Sequence, residues 1–218
     1  MNRRALVPLG DSCVAMPLGS TIDPDVNARC IALGEALERL ALPGIRDAVP
    51  TYNTITIHFD PLTIGLPALE TALQSCAQEE RHTRVSHAEP RTIDIPVTYG
   101  GESGPDLSAV AAFAGCSEAD VVRLHTHIAY RVYMLGFLPG FAYMGSVDGR
   151  IAMPRLDTPR MRVPAGSVAI AGLQTGIYPC ETPGGWRIVG QTSVKLFDAS
   201  RPEPFLLKAG DRVRFLPA

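Results

Sequence analysis

Val163-Pro164-Ala165-Gly166-Ser167-Val168-Ala169-Ile170-Ala171-Gly172-Leu173-Gln174-Thr175-Gly176-Ile177-Tyr178-Pro179, followed closely by Trp186-Arg187-Ile188-Val189-Gly190, decides the fold. Short β-prone runs are cut off by Gly and Pro, residues that end a strand and turn the chain. The texture begins near Tyr130 and is that of a closed antiparallel β structure. Immediately before it, Ser117 with Asp120 three residues on forms a capping-box-like start for a helix through Val121, Val122 and Leu124. A shorter helix precedes that one, capped by Asp106 and ended by Gly115, and Ile93, Ile95 and Val97 alternate as a strand.

Further back the character changes. His82 to Arg91 is polar and ends in Glu89-Pro90, which places a domain boundary near residue 90 and predicts domains over 1–90 and 91–218. In the first of these, Asp11 to Leu18 alternates as a strand, and Asp23-Pro24 is an N-cap and N1 pair. Val26, Cys30, Leu33, Leu37 and Leu40 follow as one apolar helical stripe that Pro43-Gly44 ends. Strands over 45–49 and 54–59 and a helix over 67–80 complete a β-α-β-β-α order, a compact two-layer unit. The fold class is therefore α+β: a small two-layer α/β domain followed by a β-rich domain.

Composition narrows the rest. With 218 residues, 46% hydrophobic and 19% charged, the chain is a folded globular protein rather than a disordered one. Its formal net charge of -2 excludes the basic footprint of a nucleic-acid binder. The charge is uneven: residues 1–122 hold 8 basic and 16 acidic side chains, residues 123–218 hold 12 and 6. Arg123, Arg131, Arg150, Arg155, Arg160 and Arg162 meet only Asp148 and Asp157 in that stretch, and arginine suits forked contacts with carboxylate or phosphate. Five widely spaced cysteines with no C-x-x-C pair oppose a disulfide framework and a zinc site, as expected for core thiols in a reducing compartment. The apolar run near the N-terminus is interrupted by Pro8 and Asp11, too short for a signal or a membrane span, so a cytoplasmic location is expected.

No phosphate-binding glycine loop, dinucleotide fingerprint, H-E-x-x-H or G-x-S-x-G is present. His125 and His127 do not make up a ligand set, so no metal is expected. At the end of its helix, His125 suits either an interaction with the last carbonyls or proton transfer. Phe137, Phe141 and Tyr143 crowd one Gly/Pro loop, either as a core corner or as a pocket wall with Tyr143 as its polar tip. Gln174 and Thr175, set between Gly172 and Gly176, suit a small amide or carboxylate, or a plain turn. Ser167 and Cys180 lack a local base. Trp186, after Gly184-Gly185, reads as core.

Several independent runs, in order, resemble one family: GDS from Gly10, VPTYNT from Val49, YGGESGPDL from Tyr99, YRVYMLGFLPGFAYMG from Tyr130, the stretch from Val163 to Pro179, TPGGWRIVGQT from Thr182 and AGDRVRFLP from Ala209. This is the 5-oxoprolinase B-subunit or KipI family, also labelled allophanate hydrolase subunit 1. The resemblance implies a C-terminal cyclophilin-like β-barrel. It also implies one component, inactive alone, of an ATP-dependent complex opening 5-oxo-L-proline to L-glutamate. Its implied partners are the KipA-like C subunit of that complex with its amidohydrolase-type A subunit, and ATP is used by the complex with no site assigned to this chain. Two other activities belong to the same resemblance: inhibition of a sensor histidine kinase, and a part in urea or allophanate hydrolysis. Expected roles are proton transfer for His125, anion stabilisation for Arg155 and Arg160, amide hydrogen bonds for Gln174 and Thr175, and pocket walls for Tyr143 and Tyr178. The sequence departs from the family pattern at His127-Ile128-Ala129 and at Leu173.

Overall fold

The computed structural model describes residues 6–82 and 90–218. The first residues and most of the polar link before Pro90, Arg84 included, lie outside them. The chain divides into two compact units, Met1–Glu89 and Pro90–Ala218. No helix among the described residues is long and apolar enough to cross a membrane.

The first unit runs β1 (Val7–Pro8), β2 (Cys13–Pro17), α1 (Pro24–Leu40), β3 (Ile45–Pro50), β4 (Thr54–Phe59) and α2 (Leu66–His82). Its antiparallel sheet has the order β1-β2-β4-β3. The period of two in β4 buries Ile55, Ile57 and Phe59 and leaves His58 exposed; they pack on Cys30, Leu33 and Leu37 of α1 and Leu69, Leu73 and Cys76 of α2. Asp23 caps α1 by accepting from the N–H groups of Asp25 and Val26 at 2.8 and 3.0 Å. The helix stops earlier than Pro43-Gly44 demands: Ala41 takes a left-handed conformation and donates its N–H to the Glu38 carbonyl.

The second unit runs β5 (Thr92–Tyr99), α3 (Leu107–Ala114), α4 (Glu118–Thr126), β6 (Ala129–Leu135), β7 (Ala142–Gly145), a 3-10 turn (Gly149–Ile151), β8 (Arg160–Val163), β9 (Ser167–Ala171), β10 (Gln174–Ile177), β11 (Thr182–Gly184), β12 (Arg187–Gln191) and β13 (Arg212–Pro217). Seven strands close a barrel in the order β10-β7-β6-β13-β5-β12-β9, and β8 with β11 forms a separate ribbon. The barrel is not wholly antiparallel, because β13 lies parallel to β5, Arg212 opposite Thr92. The sequence texture does not show this pairing, which joins the two ends of the unit. Closure leaves no sheet edge in the barrel and encloses Ile95, Val97, Tyr130, Val132, Met144, Val168, Ile177 and Phe215.

Both short helices sit where the caps place them, and Ser117 with Asp120 makes the full capping box of α4. Asp106 departs from expectation. It occupies the N-cap of α3 without a side-chain cap bond; its carboxylate instead accepts from the Ile188 N–H of β12 and from Arg160 Nη2, both at 2.7 Å. A buried carboxylate is best satisfied by a backbone donor and a guanidinium together, so tertiary partners win over the local cap.

Candidate functional site

The β6–β7 connection sets the site. Gly140, at φ 85, makes its turn, and a Cβ there would lie 2.8 Å from Phe197 Cβ, so no larger residue fits. Phe141 turns inward and is almost fully buried. Phe137 stays outside, 62% exposed, with φ at 69. A bulky residue in the left-handed region costs about 1–2 kcal/mol, and such strain persists where the surrounding structure enforces it, most often at functional sites.

Phe141 is the hub of an aromatic cluster. The Tyr143, Tyr178, Trp186 and Phe137 rings meet it edge-on, with centroids at 4.8, 5.3, 5.5 and 5.6 Å. Edge-to-face contact is the geometry that ring quadrupoles favour. Above this floor opens a pocket of about 350 Å3, lined by these five rings with Arg155, Pro159, Pro183, Gly184 and Gly185. Gly184 is required there because a Cβ would fall 2.5 Å from Tyr178 Oη. Burial raises the pKa of both Tyr143 and Tyr178. For Tyr178 the Trp186 backbone hydrogen bond and the Arg160 charge oppose that rise without cancelling it. Both phenols are therefore neutral at neutral pH.

Arg155 is the only charged residue of the lining among the described residues. The chain on either side of it is clamped: Arg187 Nε donates to the Pro154 carbonyl at 3.0 Å, and the Leu156 N–H donates to the Gly185 carbonyl at 2.7 Å. Its guanidinium makes no ion pair or hydrogen bond among the described residues. Neighbouring arginines differ: Arg160 pairs with Asp106 at 2.7 Å, Arg162 with Glu181 at 3.0 Å and Arg150 with Asp148 at 2.8 Å. Arg160 nonetheless keeps one buried nitrogen, Nη1, without a hydrogen-bond partner among the described residues.

His125 and Thr175 meet each other, not the pocket. His125 is fully buried in the barrel, stacked on Phe215 at 4.7 Å. Tyr99 Oη lies 2.7 Å from its Nδ1 and Thr175 Oγ1 2.8 Å from its Nε2. Thr175 donates its own proton to the Ala169 carbonyl at 3.0 Å, so it accepts from Nε2–H, and Nδ1 accepts from the Tyr99 hydroxyl. Tyr130 Oη donates to the His125 carbonyl at 2.8 Å. Burial lowers the imidazole pKa to about 3 and pushes both tyrosines well above their usual range. The imidazole is neutral with both nitrogens used. In this conformation it holds the end of α4 to β5 and β10 and has no open route to a ligand.

Of the residues singled out in the sequence, the structure thus gathers Tyr143, Arg155 and Tyr178 at one pocket. It puts His125 and Thr175 in the core, pairs Arg160 with a helix-capping position, and leaves Gln174 half-buried on β10 opposite Ala171 and Gly145. Trp186, read as core, is half-buried and serves both as packing for Phe141 and as pocket wall. The Gly184-Gly185 pair preceding it was the available signal, since two residues without side chains leave a face of the indole open. Among the described residues no group of three or more His, Cys, Asp or Glu is placed to hold a metal.

The pattern of the carboxyltransferase domain, subdomain C and D, matches residues 4–207, which fixes the class of this barrel-bearing chain. Within it the chain is 43% identical to the 5-oxoprolinase B subunit of Escherichia coli O157:H7, covering all of this chain and 97% of that one. It is 40% identical to the 5-oxoprolinase B subunit of Bacillus subtilis (strain 168), covering 98% of this chain and 92% of that one. The protein belongs to this 5-oxoprolinase B-subunit family. The crystal structure of TTHA0988 superposes with a TM-score of 0.84 at 41% identity over 94% of this chain, which spans only 40% of that longer one.

Proposed function

We propose that the chain is the B subunit of an ATP-dependent 5-oxoprolinase, inactive alone, that opens 5-oxo-L-proline to L-glutamate together with an amidohydrolase-type A subunit plus a KipA-like C subunit in the cytoplasm. The observation that carries this reading is the end-to-end correspondence with 5-oxoprolinase B subunits, supported by a pocket of the size and polarity for a small organic acid. A lactam is a stable amide, and its carbonyl must be activated before water attacks; ATP bound by the complex supplies that activation. The residues here do not fit the nucleotide itself: a single arginine among five aromatic rings does not balance a triphosphate. This pocket is therefore not assigned to ATP, and no step through ATP is placed on its residues. What this chain contributes is a desolvated aromatic floor, two neutral phenol hydroxyls and one unpaired cation, which bind and orient a substrate rather than break its bond.

The test is complementation. A bacterium lacking its own KipI-type component, but retaining the other two 5-oxoprolinase proteins, is supplied with this chain and grown on 5-oxo-L-proline as sole nitrogen source. Growth that depends on the chain is the expected result; failure to grow despite soluble expression and recovery of the assembled complex removes the reading.

A further inference from the structure

We propose that the aromatic pocket is the lactam-binding site of the complex and that it selects an anionic ring, with Arg155 receiving the ring's carboxylate and Trp186 and Tyr143 packing against the ring itself. This rests on the 5-oxoprolinase reading for the identity of the ligand, but its chemistry is read from the pocket alone. Among the described residues the lining carries one charge, which is positive, and no carboxylate. Nothing else among the described residues neutralises that charge, although every nearby arginine except Arg155 has an acidic partner or a carbonyl. The main chain on both sides of Arg155 is held by hydrogen bonds to Arg187 and Gly185, so the guanidinium is presented from a fixed base. A forked cation held in this way matches a carboxylate in geometry as well as in charge.

The remainder of the pocket fits a small flat ring. Tyr143 and Trp186 stand 5.9 Å apart at an interplanar angle of 66° over the buried Phe141, and Phe137 closes the rim. About 350 Å3 lies at the small end of the range for organic ligands. 5-Oxo-L-proline combines a five-membered ring, one carboxylate and one neutral amide. The neutral phenols of Tyr143 and Tyr178 place no charge against the amide. L-Glutamate, the opened product, carries two carboxylates and an ammonium group and has no ring to stack, so the site favours substrate over product.

Trp186 is the only tryptophan of the chain, so its fluorescence reports this pocket directly. The full chain, alone and assembled with its two partner proteins, is titrated with 5-oxo-L-proline and with 2-pyrrolidinone, the same lactam without the carboxylate. The expected result is a saturable change with 5-oxo-L-proline, weakened roughly 10- to 100-fold by Arg155→Gln, as for loss of a charged hydrogen bond. Binding of 2-pyrrolidinone is expected to be weaker and indifferent to that substitution. Arg155 is exposed and makes no contact that folding needs, so the variant is expected to keep the wild-type circular dichroism. Equal affinity for the two lactams, an Arg155→Gln affinity within twofold of wild type, or no saturable change in chain or complex overturns the proposal. Turnover by the complex separates it from the broader reading. If Arg155→Gln leaves KM for 5-oxo-L-proline unchanged, the pocket assignment fails and the 5-oxoprolinase function stands. If the carboxylate-dependent binding is found but no complex opens the lactam, the function fails and the anion pocket stands.

Discussion

Acid lowers the stability of the second unit through His125, by an amount the structure allows to be worked out. In the native barrel the imidazole is neutral, with its pKa lowered to about 3 by burial; in the unfolded chain it titrates near its usual 6.5. Above pH 6.5 neither state binds the proton and the group makes no difference. Below it, the unfolded chain takes up a proton that the native chain refuses, so stability is lost as pH falls from about 6.5 towards 3, at up to about 1.4 kcal/mol per pH unit. Between pH 7 and pH 5 the loss comes to about 2 kcal/mol. Tyr99 and Tyr130, the other titratable groups packed on the ring, stay protonated throughout and add nothing. Carboxylates whose charged form is held, such as Asp94 by Arg214 and Asp120 by Ser117 and Arg123, also lose stability in acid, so the comparison is with a variant rather than with zero. Urea unfolding followed by Trp186 fluorescence, at pH 7 and pH 5, is measured for wild type and for His125→Gln. The variant starts from lower stability, but its drop between the two pH values is expected to be smaller by about 2 kcal/mol. Identical drops would refute the neutral, buried imidazole.

Other substitutions test other parts of the account. Asp106→Ala strands Arg160 and the Ile188 N–H together and is expected to cost about 3 kcal/mol in the same unfolding assay; a loss below 1 kcal/mol contradicts the buried pair. Phe137→Gly is expected to be more stable than Phe137→Ala by about 1 kcal/mol, because only glycine relieves the positive φ, and the reverse order contradicts the strained rim. Gly184→Ala drives a methyl into Tyr178 Oη and is expected to weaken 5-oxo-L-proline binding in the Trp186 titration while the chain still folds; unchanged affinity shows that the pocket floor does not depend on this contact. Thr175→Val removes the acceptor of His125 Nε2–H and is expected to cost about 1–3 kcal/mol without changing that affinity, and an affinity loss would place Thr175 in the binding site after all.

What was legible in the sequence was local. The Asp23-Pro24 cap, the stripe from Val26 to Leu37, the period of two from Thr54 to Phe59 and the Ser117–Asp120 capping box depend on neighbours within a turn or two, and the structure realises each of them. The parallel pairing of β13 with β5 joins residues some 120 positions apart and leaves no mark in either strand. The same distance explains the site. The resemblance pointed to Arg155 and Arg160 alike, and only the structure separated them, by pairing Arg160 with Asp106 and leaving Arg155 on the pocket; Trp186 became a pocket wall through contact with Phe141 from another loop. His125 showed the limit most clearly, since the sequence places it at a helix end but cannot say that Tyr99, Thr175 and Phe215 surround it there. The Tyr143 assignment to a pocket came from concentrated aromatics around Gly and Pro, a local signal that points to where a loop presents its rings, whereas Tyr178 was reached only through the family resemblance.

The central claim is tested most directly by following carbon-13-labelled 5-oxo-L-proline in a mixture of this chain, its KipA-like and amidohydrolase-type partners and ATP, with each protein omitted in turn. Labelled glutamate and ADP are predicted to form together only when this chain is present. Undiminished glutamate formation without it, or none from the fully assembled complex, would contradict the account.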